Sequence, residues 1–221
     1  DTPAPEGELV WIRAVAVGET RAAAPLVERI LRERPSATVL LTSMTATGRE
    51  TGRALFGERV VQAWLPYDLP GAMRRFLAHF RPAFGLLMET ELWPNLAAEA
   101  AVARVPLFLV NGRLSARSFP RYRLVKPLFR RVLTLIDRFC VQGDETAGRL
   151  AELGAPKVTV LDLKQPEGPH STFIETNLAN RAAIDTAAAK IEGPIAALFN
   201  NAGVADTSQR EIVLAVNILA P

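Results

Sequence analysis

Leu9-Val10-Trp11-Ile12-Arg13-Ala14-Val15-Ala16-Val17-Gly18-Glu19-Thr20 decides the fold: nine residues apolar at every position but Arg13, then a glycine, then a carboxylate. An apolar run this short, closed by glycine, reads as a strand over Leu9 to Val17 buried on both faces, the kind found in parallel sheets. Further strands are expected at Thr38 to Ser43, Val60 to Leu65, Phe84 to Met88, Leu107 to Val110, Phe139 to Gln142 and Val158 to Leu161. Between them helical periodicity predicts Arg21 to Arg34, Thr47 to Phe56, Pro70 to Phe80, Pro94 to Ala103, Ser115 to Leu135 and Glu145 to Leu153. Pro35, Pro82 and Pro106 follow helices, and Gly57 and Gly154 fall where a C-terminal cap is wanted. Strands alternating with helices define an α/β protein with a parallel sheet and crossover helices. Its ligand site belongs at the carboxyl ends of the strands, after Val17, Met88 and Val110.

The chain of 221 residues, 49% hydrophobic and 22% charged, has the composition of a folded domain rather than a disordered one. A single cysteine excludes an internal disulfide framework, and Phe139-Cys140-Val141 reads as a small buried hydrophobe in a strand. With His79 and His170 the only imidazoles, no Cys/His cluster has metal-ligand spacing, and no metal is expected. Apolar runs fall short of the roughly 18 residues of a membrane span, and no signal peptide is recognisable. The chain opens at Asp1 without methionine, which leaves room for an upstream segment.

Charge is unevenly spread. Residues 1–157 hold 22 Lys+Arg against 16 Asp+Glu, net +6, while residues 158–221 hold 4 against 7, net −3. Between Glu99 and Asp137 there is no acid, but Arg104, Arg113, Arg117, Arg121, Arg123, Lys126, Arg130 and Arg131 all occur. Such a stretch is either a solvated basic helix face or a surface for phosphates and anionic lipid.

Three motifs carry chemistry. Gly18 permits a tight turn after the first strand and leaves Glu19 at a helix N-terminus, whose dipole favours an ionised carboxylate fit to act as a general base; the alternative is a helix-capping acid. Met88-Glu89-Thr90-Glu91-Leu92-Trp93-Pro94-Asn95 sets two carboxylates and an aromatic at a strand's carboxyl end before a proline-started helix. Asn111-Gly112-Arg113-Leu114-Ser115 is either an anion cradle or a plain strand-turn-helix connection.

Taken in order with Thr42-Ser43-Met44-Thr45-Ala46-Thr47-Gly48 and Leu65-Pro66-Tyr67-Asp68-Leu69-Pro70, these motifs resemble the N-terminal domain of 3-deoxy-D-manno-octulosonic acid (Kdo) transferases over residues 8–157. The resemblance implies a Rossmann-like parallel sheet with helices on both faces, one half of a two-domain GT-B glycosyltransferase. It implies transfer of Kdo from CMP-Kdo to a lipid A precursor in lipopolysaccharide core biosynthesis, at the cytoplasmic face of the bacterial inner membrane, with no cofactor and no nucleic acid partner. Glu19 matches the family's base, and Gly18, Thr47, Gly48, Glu89, Glu91, Asn111, Arg113 and Ser115 fall in its substrate-binding motifs. The basic stretch from Arg113 to Arg131 would face lipid A phosphates and anionic lipid. Two departures lie in the strand that delivers Glu19: Arg13 stands where the family usually has histidine, and Ala16 where it has serine.

Residues 158–221, a partial α/β extension, resemble a short-chain dehydrogenase/reductase instead. Leu161-Asp162-Leu163 is similar to its second strand, Asn177-Leu178 to an Asp-Leu element, Asn200-Asn201-Ala202-Gly203 to its sheet motif, and Val216-Asn217 to its catalytic asparagine. Strands at Phe173 to Glu175 and Ile195 to Phe199 and helices at Ala182 to Ile191 and Gln209 to Leu219 are expected. The glycine-rich dinucleotide turn is missing, and the Tyr122 and Lys126 spacing is coincidental because it lies upstream. Three functions therefore stand open: a Kdo transferase acceptor half, an NAD(P)-binding reductase fragment, and an inert chimera. The donor half that binds CMP-Kdo is missing from the sequence, so little transfer is expected from these 221 residues alone.

Overall fold

The computed structural model describes residues 2–142, 144–155, 159–162, 172–175, 182, 183, 186, 190 and 198–200. The chain divides into two compact units, Asp1–Val110 and Asn111–Pro221. The sequence-predicted junction near residue 157 lies inside the second.

In the first unit β1 (Leu9–Arg13), β2 (Thr38–Ser43), β3 (Val61–Trp64), β4 (Phe84–Met88) and, up to Val110, β5 (Leu107–Gly112) form a parallel sheet in the order β3-β2-β1-β4-β5. They alternate with α1 (Val17–Glu33), α2 (Ala46–Phe56), α3 (Pro70–Phe80) and α4 (Pro94–Val102). This is the expected α/β, Rossmann-like sheet. Progress outward from β1 to β3 and then back to β4 reverses direction, so right-handed crossovers put α1 and α2 on one face and α3 and α4 on the other. The contacts agree, α1 packing against α2 and α3 against α4.

Every residue of β1 is buried, as a central parallel strand requires. Trp11 lies in the core with its indole N–H donating to Thr42 Oγ1 (2.9 Å) and its ring 5.0 Å from that of Phe76. Gly85 in β4 is the counterpart of this bulk, since a Cβ there would come within 2.8 Å of both Trp11 Cε3 and Leu107 Cδ2.

Two elements differ from the sequence reading. The first strand ends at Arg13 rather than Val17, and α1 starts four residues early, at Val17. The Ala14 amide still reaches Thr42 O (3.0 Å), but the Val15 amide donates to the Glu19 carboxylate (2.6 Å), so a side chain takes over from the neighbouring strand. The helix expected from Ser115 to Leu135 is two helices of the second unit, α5 (Phe119–Leu124) and α6 (Lys126–Leu133), parted at Val125. Pro127 explains the break: it lacks an amide hydrogen and its ring clashes with the preceding turn of a continuous helix.

The second unit also contains β6 (Arg138–Gln142), α7 (Asp144–Leu153), β7 (Thr159–Asp162), β8 (Thr172–Glu175) and β9 (Leu198–Asn200). Here β6 pairs with β9, β9 with β7 and β7 with β8, all parallel. Cys140 is only partly covered as a residue, yet burial of its thiol pushes it up to about 11, so it is an unreactive strand residue more than a fully enclosed one. Of the reductase-like motifs, Asp162 ends β7 and Asn200 ends β9. Leu163, His170, Asn177, Leu178, Asn201, Ala202, Gly203, Val216 and Asn217, most of Ala182 to Ile191, and Gln209 to Leu219 lie outside the described residues.

Gly85→Ala is expected to destabilise the protein by about 1–3 kcal/mol through overpacking against Trp11 and Leu107, read as a lower midpoint in urea.

Candidate active site

The strand order reverses between β1 and β4, and there the carboxyl ends of an open α/β sheet leave a crevice for ligand. Glu19 follows β1, and Glu89 and Glu91 follow β4. All three sequence-predicted acids of the first unit therefore reach the switch point.

Glu19 is the third residue of α1 and is 8% exposed. Its Oε2 accepts from the Val15 amide, and no other hydrogen bond reaches the carboxyl among the described residues. Burial raises its pKa to about 7; the Val15 bond and the positive charge of Arg13 pull down, while the negative charges of Glu91 and Glu89 push up. The helix dipole was expected to keep this acid ionised, but burial among other acids wins. The result is a carboxyl able to take or give a proton near neutrality, which is what a general base needs.

Arg13, the residue that sequence reasoning noted only as a departure, organises the other acids. Its side chain has no solvent exposure, and NH2 donates to Glu91 Oε2 at 2.7 Å while NH1 donates to the Glu91 main-chain oxygen at 3.3 Å. The guanidinium carbon stands 4.3 Å from the centre of the Trp93 ring, a cation–π contact. Arg13 also feels the charges of Glu19 and Asp68. Its Nε is buried without a partner.

Asp68 was quoted in a motif without a role. It caps α4 from another loop: Oδ1 accepts from the Leu96 amide (2.7 Å), Oδ2 from the Asn95 amide (3.1 Å), and the Asp68 carbonyl accepts from Asn95 Nδ2 (2.7 Å). Trp93, the residue at the cap position itself, offers no side-chain acceptor. The Asp68 carboxylate thus satisfies two of the helix's otherwise unpaired amides and anchors the loop that carries Glu89 and Glu91.

Glu89 is half-buried and left-handed, with φ of 59° and its amide donating to Val110 O (2.9 Å). A non-glycine residue held there stores strain on the order of 1–3 kcal/mol, of the sort that clusters at functional sites. Gly18 departs from expectation: its φ is not left-handed and a Cβ on it would meet nothing, so the turn does not require glycine. Gly48 has a structural reason instead, since a Cβ would lie 2.8 Å from Thr45 Oγ1 and 3.2 Å from Val15 O. Thr45 caps α2 by accepting from the Gly48 amide (3.1 Å), and its hydroxyl donates to Val15 O (3.2 Å). Thr47 is exposed in the same turn. Ala16 occupies the cap position of α1 and supplies no side-chain hydrogen bond.

Asn111, Arg113 and Ser115 belong to the second unit. Asn111 is left-handed (φ 58°), Arg113 is exposed, and the Ser115 hydroxyl accepts from the Ser118 amide (3.2 Å) in a turn ahead of α5 rather than capping it. No three His, Cys, Asp or Glu residues among the described residues are placed to hold a metal ion.

A Rossmann-like parallel sheet thus carries a buried carboxyl, raised to about 7, at its switch point. A model of the 3-Deoxy-D-manno-octulosonic-acid transferase (kdotransferase) family matches residues 2–165, and the chain belongs to that family. A 3-deoxy-D-manno-octulosonic acid transferase of Bordetella pertussis is 48% identical over 163 residues, covering 72% of this chain and 38% of the relative. One from Haemophilus influenzae is 38% identical over 155 residues, covering 70% of this chain and 36% of the relative. The chain thus spans well under half the length of these relatives. Among solved structures, Acinetobacter baumannii MurG aligns over 87% of this chain and 67% of its own at 9% identity with a TM-score of 0.46, too loose a likeness to inform function.

Because the folded Glu19 carboxyl holds its proton to about pH 7 and an unfolded glutamate releases it near pH 4.5, the folded state binds the extra proton between those values. Stability is therefore expected to fall as pH rises from about 4.5 to 7, by on the order of 3 kcal/mol from this group. Urea unfolding at pH 5 and pH 8 checks it: Glu19→Gln should lose that part of the pH dependence.

Proposed function

We propose that this chain is the acceptor side of a Kdo transferase, in which Glu19 removes a proton from a hydroxyl of a lipid A precursor. The freed oxygen attacks the anomeric carbon of Kdo, the bond to the CMP phosphate breaks with inversion, and CMP leaves with the electron pair. The observation that carries the reading is the buried Glu19 carboxyl, pushed up to about 7 and holding one protein hydrogen bond at the switch point. Glu89 and Glu91 would accept hydrogen bonds from sugar hydroxyls, Gly18 would leave the approach open, and Thr47, in the turn closed by Gly48, would line it. Asn111, Arg113 and Ser115 would hold an anionic group of a substrate. CMP-Kdo would be held by a donor half of the kind that the relatives' greater length accommodates.

The basic stretch adds a membrane partner, and we place the protein at the cytoplasmic face of the inner membrane. No helix among the described residues is long and apolar enough to cross a bilayer. Along α5 and α6, exposed Leu124 (85%) and Leu128 (49%) sit among Arg121, Lys126, Arg130 and Arg131, an apolar and cationic mixture suited to an anionic interface. The resemblance of residues 158–221 to a reductase finds no support in the family match, which ends at residue 165.

Exchanging this chain's segment for the matching part of the Bordetella pertussis relative is expected to preserve Kdo transfer to a lipid A precursor. Glu19→Gln in that exchange should lower kcat by about 10²- to 10⁴-fold with little change in acceptor KM. An unchanged kcat would remove Glu19 as the base. Separately, the chain should co-sediment with vesicles containing phosphatidylglycerol and not with pure phosphatidylcholine, and Arg130→Ala with Arg131→Ala should weaken that binding by roughly tenfold.

A further inference from the structure

A cavity of about 740 Å³ opens between the last turns of α3 and α4, at the amino ends of β4 and β5. The 5 residues of β4 separate it from Glu89, roughly 16 Å at a strand's 3.3 Å per residue, so it lies at the other end of the strands from the switch point. Its apolar lining is Leu77, Pro82 and Val105, all buried, and Val102, which is 78% exposed. At one wall Arg74 of α3 grips Glu99 of α4 with two hydrogen bonds, Nε donating to Oε2 at 3.0 Å and NH2 to Oε1 at 2.9 Å. That pair ties the two helices together and cancels the carboxylate of the cavity.

Two further guanidiniums line the same space. Arg81 and Arg104 are exposed, and among the described residues neither has an ion pair or a side-chain hydrogen bond. Three arginines against one glutamate leave the lining with a charge of +2. Both free arginines are left-handed, with φ of 46° and 56°, just past the ends of α3 and α4. Helices commonly close there on glycine or asparagine, which lack the steric penalty of a longer side chain. Here both connections carry an arginine, and both bring it to one cavity.

We propose that this cavity is a second ligand site, for a phosphate monoester carried on an apolar chain, with the phosphate held by Arg81 and Arg104 and the chain laid along Leu77, Val102 and Val105. The volume falls within the roughly 300–1,000 Å³ of small-molecule sites. Guanidinium forks match phosphate oxygens in pairs, and a monoester brings a charge of roughly −2 near neutrality, the complement of the lining. An apolar body is needed as well, because inorganic phosphate would leave the buried Leu77 and Val105 uncovered. The site goes beyond the proposed transfer, since none of its residues belongs to the carboxyl-end loops.

Amide spectra of the full 221-residue chain, titrated with monomeric hexyl phosphate, test it. Saturable shifts are expected at Leu77, Ala83 and Val105, with a Kd at least about tenfold below that for inorganic phosphate and no saturation with hexanol. Arg81→Asn with Arg104→Asn, in which asparagine keeps the left-handed turns, should weaken hexyl phosphate by about tenfold or more. Ala78→Trp, on exposed α3 surface lining the cavity, keeps the charges and fills the space; it should cost hexyl phosphate its advantage over inorganic phosphate. Vesicles containing phosphatidic acid separate the sources. Perturbation of the same amides on them assigns the ester to a membrane lipid, and its absence while hexyl phosphate binds assigns it to a soluble phosphate ester. No saturable shift at these residues, equal affinity for hexyl and inorganic phosphate, or unaltered affinity in the double variant overturns the site.

Discussion

A positive charge without water must be met by negative charge and hydrogen bonds, and Arg13 imposes that demand at the end of the central strand. Burying a guanidinium alone would be prohibitive. The β4–α4 connection answers by bringing Glu91 to 2.7 Å and the Trp93 ring centre to 4.3 Å from the guanidinium carbon. Much of the local architecture follows from this. The connection must turn sharply after Met88, which it does through the left-handed Glu89, and the helix after it must be held, which Asp68 does through two amides of α4.

The same arrangement separates the acids into different jobs. Glu91 is bound to the cation, Asp68 to a helix terminus, and Glu19 to one backbone amide. Burial raises the Glu19 carboxyl to about 7. The strained Glu89 backbone is maintained by the packed strands beneath it.

Particular residues show how far the sequence was readable. The strands were legible because apolar runs such as Thr38 to Ser43 and Phe84 to Met88 have no other way to be buried, and both appear with those bounds. The position of Glu19, Glu89 and Glu91 at the carboxyl ends of β1 and β4 was legible because each comes just after an apolar strand. Boundaries that depend on one hydrogen bond were not: the Val15 amide turns to Glu19, ending the strand four residues early. The Val125 break in the basic segment was written in Pro127 but outweighed by the cationic periodicity around it. Arg13 gave no signal of its role, since an arginine in an apolar run does not reveal which acid will meet it.

The sequence by itself determined a parallel α/β sheet, its family, and the carboxyl-end position of the acids, because periodicity and local order are properties of neighbouring residues. Tertiary structure alone decided that Arg13 pairs with Glu91, that Asp68 caps a helix 27 residues away, and that Glu19 keeps its proton to about pH 7. Those outcomes depend on desolvation and on charges brought together from separate connections, quantities that exist only once the chain has closed around them.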